Sequence, residues 1–463
     1  MSDQTPLRIA VIGSGPAGFY AAGHLLADSD ERFEVDMIER LPTPWGLVRS
    51  GVAPDHPNIK SVTRVYERTA AHPRFRFFGN VTFGADVDRG DLREHYHAIV
   101  YATGSPHDRR LGIPGEDLPG SHAATEFVGW YNGHPDHTDL EVDLGRAERA
   151  VVIGNGNVAL DLARMLVLGE GELAPTDTAN HALEVLAASA VREVIVAGRR
   201  GPAQAAFTNP ELRELADLEQ ADVIVDGEEL ESALAASGPL DDLPTIARKN
   251  VEILRDFAAR EPAGLPRRVV LRFLLSPVEL VAGEDGHLAS VEFVRNELVP
   301  GASGLAAQPT DERERVDADL LFRAVGYRGA PLPGVPFDED RAVIANAGGR
   351  VVDGGGEVVP GEYVVGWIKR GPTGVIGTNK KDAQETVNAM LEDLGAEPPH
   401  RPADASAAAA EALLRERQPD LITYEGWEAI DRQERSAGER EGRPRVKLTR
   451  VEEMLRAAAA ERP

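Results

Sequence analysis

The chain of 463 residues contains no cysteine. That absence removes disulfides, thiolate metal sites, a redox-active dithiol and any cysteine-ligated iron–sulfur cluster. Long apolar runs are also missing. No stretch approaches the ~18 residues of a membrane span, and the first residues carry no apolar leader. The expectation is a cytoplasmic protein with no membrane span and no bound metal. Positive charge is scarce: 50 Lys and Arg stand against 76 Asp and Glu, a formal net charge of −26. A field of that sign argues against nucleic-acid binding, which needs a basic face. It leaves room for a small basic docking patch.

What is present is a pair of glycine turns. Residues 8–12 read as a short buried strand, and 19–27 as a helix. Between them Gly13, Gly15 and Gly18 keep the G-x-G-x-x-G spacing. The first glycine permits the tight turn, the second a close approach to pyrophosphate, the third helix-on-strand packing. The helix N-terminus then offers N–H groups to the phosphates. Phe33–Ile38 reads as the next strand, and Glu39 follows it, 21 residues after Gly18, where an acid pairs with a ribose hydroxyl. The Pro- and Gly-rich stretch 41–60 reads as a shaped loop running along that cofactor. Trp45 and Leu47 would pack there. His56 is either a polar group near the chemistry or a turn-stabilising residue between Asp55 and Pro57.

The second turn lies in VVIGNGNVALDLAR, residues 151–164. Strand 150–153 precedes Gly154, Gly156 and Ala159, and helix 158–166 follows; alanine is accepted at the third position. The next strand, Glu193–Ala197, ends in Gly198-Arg199-Arg200. Where the first site has an acid, this one has two cations. An acid repels a 2′-phosphate; arginine binds one through charge-assisted hydrogen bonds. The first site therefore reads as FAD or NAD type, the second as NADP type.

Further along, a helix at 210–218 carries Glu211, either a ribose ligand or an acid complementing the helix dipole. Residues 241–261 form an amphipathic helix with Arg248, Lys249, Arg255 and Arg260, either a docking face for an acidic partner or a solvated surface. Strands are expected at 74–81, 83–87, 97–102, 269–275, 288–294, 316–324 and 363–368, the last ending around Trp367. Gly374, Val375 and Ile376 lead into a helix reaching about Met390, whose N-terminus could stabilise a reduced flavin, with Gly374 allowing a ring to approach. Helices are expected at Ala407–Arg417 and from Val451; the rest of the tail has no assigned role.

The motifs GSGPAG (13–18), LPTPWGLVRSGVAPDHP (41–57), FFGNV (77–81), IPGEDLPG (113–120), VVIGNGNVALDLAR (151–164), GRRGPAQAAFT (198–208), VGWIKRGPTGVIGTNKKDA (365–383) and GRPRVKL (442–448) span nearly the whole chain. In these the chain resembles the adrenodoxin-reductase family of ferredoxin–NADP⁺ reductases, particularly its bacterial members. The resemblance implies an α/β protein with two Rossmann-like nucleotide-binding domains. The FAD domain would be discontinuous, at 1–107 and 329–463, with an NADP domain inserted at 108–328. It implies FAD contacts from Ala17, Glu39, Leu47, Phe83, Trp367, Gly374, Val375 and Ile376. For NADP it implies Arg109, Asn155, Gly156, Asn157, Val158, Arg199, Arg200, Glu211 and Gly374. His56 and Asp161 match a polar pair linked in the family to proton or electron transfer near the flavin ring, although Asp161 could also pair locally within its helix. The implied activity is NADPH oxidation through FAD, with electrons delivered to a ferredoxin-type iron–sulfur protein. The family's basic docking residues do not map onto this chain.

Overall fold

The computed structural model describes residues 6–28, 31–301, 304–395 and 398–460. The chain divides into two compact units. One comprises Met1–His107, Asn132–Pro135 and Tyr327–Pro463; the other comprises Asp108–Tyr131 and Asp136–Gly326. Both are α/β, each built on a mainly or wholly parallel sheet.

In the first unit seven strands lie in the order Asn346–Ala347, Arg350–Val352, Val358–Val364, Ala98–Tyr101, Leu7–Ile12, Phe33–Ile38, Phe75–Phe78. The last five are parallel. Leu7–Ile12 is central and buried on both faces, which is why it reads as a continuous apolar run. Its alternate residues serve two cores: Ile9 and Val11 face one, Ala10 and Ile12 the other. The chain leaves this strand for Phe33–Ile38 on one side and later returns as Ala98–Tyr101 on the other. Its C-terminal end is thus a topological switch point, the usual place for a ligand in such sheets.

The second unit repeats the plan. Six parallel strands run Ser121–Ala123, Leu320–Arg323, Arg149–Ile153, Glu193–Ala197, Arg267–Arg272, Ala221–Val225. Arg149–Ile153 lies between Glu193–Ala197 and Leu320–Arg323, so its end is again a switch point. An antiparallel sheet of Leu275–Ala282, Leu288–Gly301 and Gly304–Asp317 covers one face. Leu280, Leu288, Val291 and Phe293 there share a core with Val151, Ile153 and Ile195.

Several expected elements are corrected. Residues 83–87 form a tight turn closed by Gly84 N–H on Val87 C=O (2.7 Å), with only an isolated bridge between Phe83 and Val87. The strand expected through Trp367 stops at Val364, and Trp367–Arg370 is a short helix. Gly366, at φ +78°, makes the break. The expected strands at 288–294 and 316–324 belong to a hairpin of two 14-residue strands, followed by the separate strand Leu320–Arg323. Leu275–Ala282 and the 17-residue helix Tyr424–Arg440 were not expected at all. No helix among the described residues is long and apolar enough to cross a membrane.

Candidate functional site

The turn after Leu7–Ile12 shows why its glycines are needed. Gly13 has φ +104°, and a Cβ there would lie 2.6 Å from Ala102 C=O. A Cβ on Gly18 would lie 2.2 Å from Gly13 C=O, so the helix Pro16–Leu26 rests on the turn itself. Gly15, its N-cap, has nothing within 4 Å of the corresponding position, and no side chain caps the helix. Pro16 at the first helical position lacks only an N–H that the helix could not use.

Glu39 is fixed beside this turn. One carboxylate oxygen accepts from Ser14 N–H (2.8 Å) and Ser14 Oγ–H (2.7 Å), the other from Leu41 N–H (3.1 Å). The loop that follows is folded onto the same turn. Trp45 donates its N–H to Ser14 C=O (3.1 Å), and Trp45 and Gly46 both have positive φ. A Cβ on Gly46 would meet Gly15 Cα at 2.9 Å. The Trp45 ring is buried against Phe19 (4.7 Å), Tyr66 (5.7 Å) and Trp427 (6.1 Å), so its role is packing. Leu47 opens the short helix Leu47–Ser50. His56 is buried and stands at the N-cap of Pro57–Lys60, but its imidazole is not the cap.

The tail assigned no role braces this loop. Arg49 is buried, forms a bidentate pair with Glu434 (2.9 and 2.5 Å) and stacks over Trp427. Glu434 also accepts from Arg445 (2.9 Å) and from Leu448 N–H (2.9 Å). Burial opposes the Glu434 charge, but the flanking guanidiniums prevail and hold its pKa below the usual carboxylate value. The buried Lys447 ammonium donates to Arg49 C=O (3.2 Å) and to Asn132 Oδ1 (3.1 Å). GRPRVKL (442–448), quoted above as a resemblance, supplied the only sequence signal for this brace.

The strand end at Val364 completes the first unit's site. A Cβ on Gly366 would lie 2.5 Å from Ala17 Cβ, so residue 366 closes onto the first turn of the Pro16 helix. Trp367 packs on Tyr327 (5.1 Å), and its indole Nε1 is buried with no partner. Gly374 has φ +78° and Val375 is exposed. The following helix begins at Thr378, two residues past Ile376. Phe83 meets Tyr101 edge-on at 5.8 Å.

In the second unit Gly154 has φ +136°, and a Cβ would strike Ala324 C=O at 2.2 Å, the counterpart of Gly13 against Ala102. Gly156 is the uncapped N-cap of Asn157–Val167, again with nothing within 4 Å. Segment 202–208 closes onto this turn: Asn155 C=O accepts from the N–H groups of Ala206 (2.9 Å) and Phe207 (3.1 Å), and Asn157 Oδ1 from Thr208 N–H (2.8 Å). The side-chain nitrogen of Asn155 is buried without a partner. Val158 is half-buried in the helix's first turn, and Arg109 is exposed, its N–H on Gly326 C=O (3.0 Å).

Arg199 and Arg200 are anchored by their backbones only. Arg199 C=O accepts from Asn296 Nδ2–H (2.8 Å) and Arg200 C=O from Leu274 N–H (3.3 Å). Among the described residues neither guanidinium has a carboxylate at ion-pair distance.

Asp161 and Glu211 are brought together, a grouping the sequence did not reveal. Arg164 pairs with Asp161 (2.9 Å), Glu214 (3.5 Å) and Glu211 (3.9 Å). Asp161 therefore does pair within its own helix. Burial, then the Asp161 and Glu214 charges, push the Glu211 pKa up to about 8, against the pull of Arg164. His56 and Asp161 lie in different units.

Residues 7–170 match the family described as pyridine nucleotide-disulphide oxidoreductase. The chain is 53% identical over 461 residues to a Mycobacterium tuberculosis protein named NADPH-ferredoxin reductase FprA, covering 97% of this chain and 99% of that one. It is 41% identical to the mitochondrial NADPH:adrenodoxin oxidoreductase of Arabidopsis thaliana, covering 98% and 96%. A solved structure of M. tuberculosis FprA in complex with NADPH superposes with a TM-score of 0.91 at 50% identity, over 98% of this chain and all of that one.

Proposed function

The chain belongs to the adrenodoxin-reductase family of ferredoxin–NADP⁺ reductases, and from that premise we propose that it is an NADPH-dependent FAD reductase delivering electrons to a ferredoxin-type iron–sulfur protein in the cytoplasm. Cell fractionation checks the location. The wider family description names disulphide chemistry, but a chain without cysteine has no disulphide of its own to reduce and pass electrons on, so they leave the flavin for another acceptor.

The residues fit both cofactors. For FAD there are a glycine turn with open space at Gly15, a carboxylate fixed at Glu39, and the buried, unpartnered Trp367 Nε1. For NADP there are the matching turn at Gly156, the unpartnered Asn155 nitrogen and the Arg199–Arg200 pair. When bound, FAD supplies the conversion of a two-electron hydride donor into single electrons. Gly15 and Ala17 would hold its phosphates on the turn that Gly13 and Gly18 shape, Glu39 its ribose, and Leu47, Phe83, Trp367, Gly374, Val375 and Ile376 the remainder. Gly156, Asn157 and Val158 would bind the NADP pyrophosphate, Arg199 and Arg200 the 2′-phosphate and Glu211 the adenosine ribose; Arg109, Asn155 and Gly374 match the family's remaining NADP contacts. By the family resemblance His56 and Asp161 would serve proton or electron transfer. The observation that carries the reading is the contrast between an acid already bonded at the first site and two arginines without acidic partners at the second.

Anaerobic addition of NADPH tests it. The yellow purified protein should bleach and then reduce a ferredoxin faster than a quinone. A flavin that NADPH leaves oxidised would overturn the reductase reading, and quinone preference would overturn the ferredoxin one.

A further inference from the structure

Trp367 and Gly374, both assigned to FAD above, lie in the segment between the strand end at Val364 and the helix Thr378–Asp393. Between them stand two consecutive cations, Lys369 and Arg370, whose side chains are only 10% and 19% exposed. A charge so far from water needs a compensating one. Here two cations share a single carboxylate, that of Asp382, itself 8% exposed. Asp382 Oδ2 accepts from Gly366 N–H (2.6 Å), and Lys369 Nζ lies 3.0 Å from Oδ1. Arg370 Nε is 3.7 Å from the same Oδ1 and is buried without a hydrogen-bond partner. Among the described residues no other carboxylate comes within ion-pair distance of Lys369 or Arg370. The cluster therefore keeps one net positive charge.

The rest of the Arg370 guanidinium grips the loop. Nη1 donates to Thr373 C=O, to Gly371 C=O (3.3 Å) and to Thr373 Oγ1 (3.4 Å). Nη2 donates to Asn379 Oδ1 (2.8 Å), in the first turn of Thr378–Asp393. One planar group thus joins the turn that leads into Gly374 to the helix that follows it. A lysine would carry the charge without the fork. A cation held in a mostly dry loop acts through a low effective dielectric. Charge near a flavin is one of the means by which a protein tunes it, and a positive charge favours the more negative, reduced form.

We propose that Arg370 is a positioning residue of the flavin site: it holds the turn 371–374 in place and, with Lys369 and Asp382, supplies the net positive charge that makes the bound flavin easier to reduce. The proposal rests on the reductase reading above, which puts Trp367 and Gly374 at the cofactor. Lys369 and Arg370 divide the work. Both contribute charge, but only Arg370 bonds the turn.

The test reads the reduction potential of the flavin in the FAD-loaded protein. Xanthine and xanthine oxidase reduce it anaerobically beside a reference dye, with neither NADPH nor ferredoxin present. Arg370→Met removes charge and fork together. It should lower the ratio of reduced to oxidised flavin at a given potential about tenfold, which is ~30 mV for a two-electron couple. Arg370→Lys should restore most of that ratio, while its FAD dissociates faster than from the wild type. Lys369→Met keeps the fork and should lower the ratio by a similar factor with FAD retention unchanged. Should Arg370→Met fail to retain FAD, Lys369→Met decides. An unchanged potential in Lys369→Met, or a fall in Arg370→Met that Arg370→Lys does not restore, would leave Arg370 a structural clamp and overturn the proposal. A wild-type flavin that xanthine oxidase reduces and NADPH does not would overturn the reductase reading instead.

Discussion

The two glycine turns are built to one plan and finished in opposite ways. Each lies at a switch point, each begins with a positive-φ glycine against a carbonyl of the neighbouring strand, and each has open space at its second glycine. At the first, Glu39 is tied into the turn by three hydrogen bonds, and the covering loop is held by a buried Arg49–Glu434 pair. At the second, Arg199 and Arg200 have anchored backbones and side chains without acidic partners. A site whose polar groups are prearranged spends little entropy in ordering itself and suits a cofactor that stays. A site whose cations have no acidic partner of their own suits one that arrives and leaves each cycle. The proposed division into resident FAD and exchanging NADP(H) follows from this difference.

The sharpest way to break the contrast is at the cations. Replacing Arg199 and Arg200 together by Ala should remove ~1.5–3 kcal/mol per charge-assisted bond. At ~1.4 kcal/mol per factor of ten, that is of order a hundredfold or more in kcat/KM for NADPH, with NADH little affected. Preference for NADPH surviving the double change would refute the assignment. Next comes the brace. Glu434→Ala leaves the buried Arg49 guanidinium without its carboxylate, while Arg445 keeps Asp431 at 2.8 Å, and should cost ~3–5 kcal/mol of stability, read as a lower Tm together with FAD release. Because the Glu434 pKa is held low when folded, its contribution is present above the unfolded carboxylate pKa and is lost as pH falls through the folded value. A variant as acid-resistant and flavin-loaded as the wild type would count against the brace. Smaller again, Glu39→Ala should weaken FAD retention by ~1–3 kcal/mol, measurable by flavin fluorescence during dialysis, and unchanged occupancy would remove Glu39 from the site.

The smallest expected effect sharpens the second site. With its pKa raised to about 8, Glu211 keeps its proton more firmly in the folded protein than in the unfolded one. The stability so gained is fully present below the unfolded carboxylate pKa and declines as pH rises towards about 8. Glu211→Gln, which stays neutral, should lose less Tm than the wild type between pH 5 and pH 8; parallel curves would show that Glu211 is ionised throughout.

The strand–turn–helix units were legible because the demands on Gly13, Gly18 and Gly154 are local and steric: a Cβ has no room. Glu39 and Arg199 were legible because each sits directly at a strand end. What escaped reading depends on distant partners. Glu434 looks like a surface acid in a polar helix, and it is buried only because Arg49, 385 residues away, and Arg445 enclose it. The hairpin Leu288–Gly301 and Gly304–Asp317 was hidden by charge. Its outer strand carries Asp311, Glu312, Arg313, Glu314 and Arg315, which suit an exposed edge and give no apolar alternation. At Trp367 the apolar run misled, since Gly366 ends the strand where hydrophobicity continues. The Asp161–Glu211 contact joins two helices whose sequences contain no mark of it.

The brace from Glu434 and Lys447 onto Arg49 also sets an order of assembly on the ribosome. The second unit has its last strand once Arg323 has emerged, so it can close while the rest is still being made. The first 107 residues cannot. Their sheet awaits Val358–Val364, and the loop over the first turn awaits a lysine 398 positions downstream of the carbonyl it binds. The nucleotide site that the chain encodes first is therefore the one it finishes last, and chains stalled short of residue 434 should hold a protease-resistant second unit while failing to retain FAD.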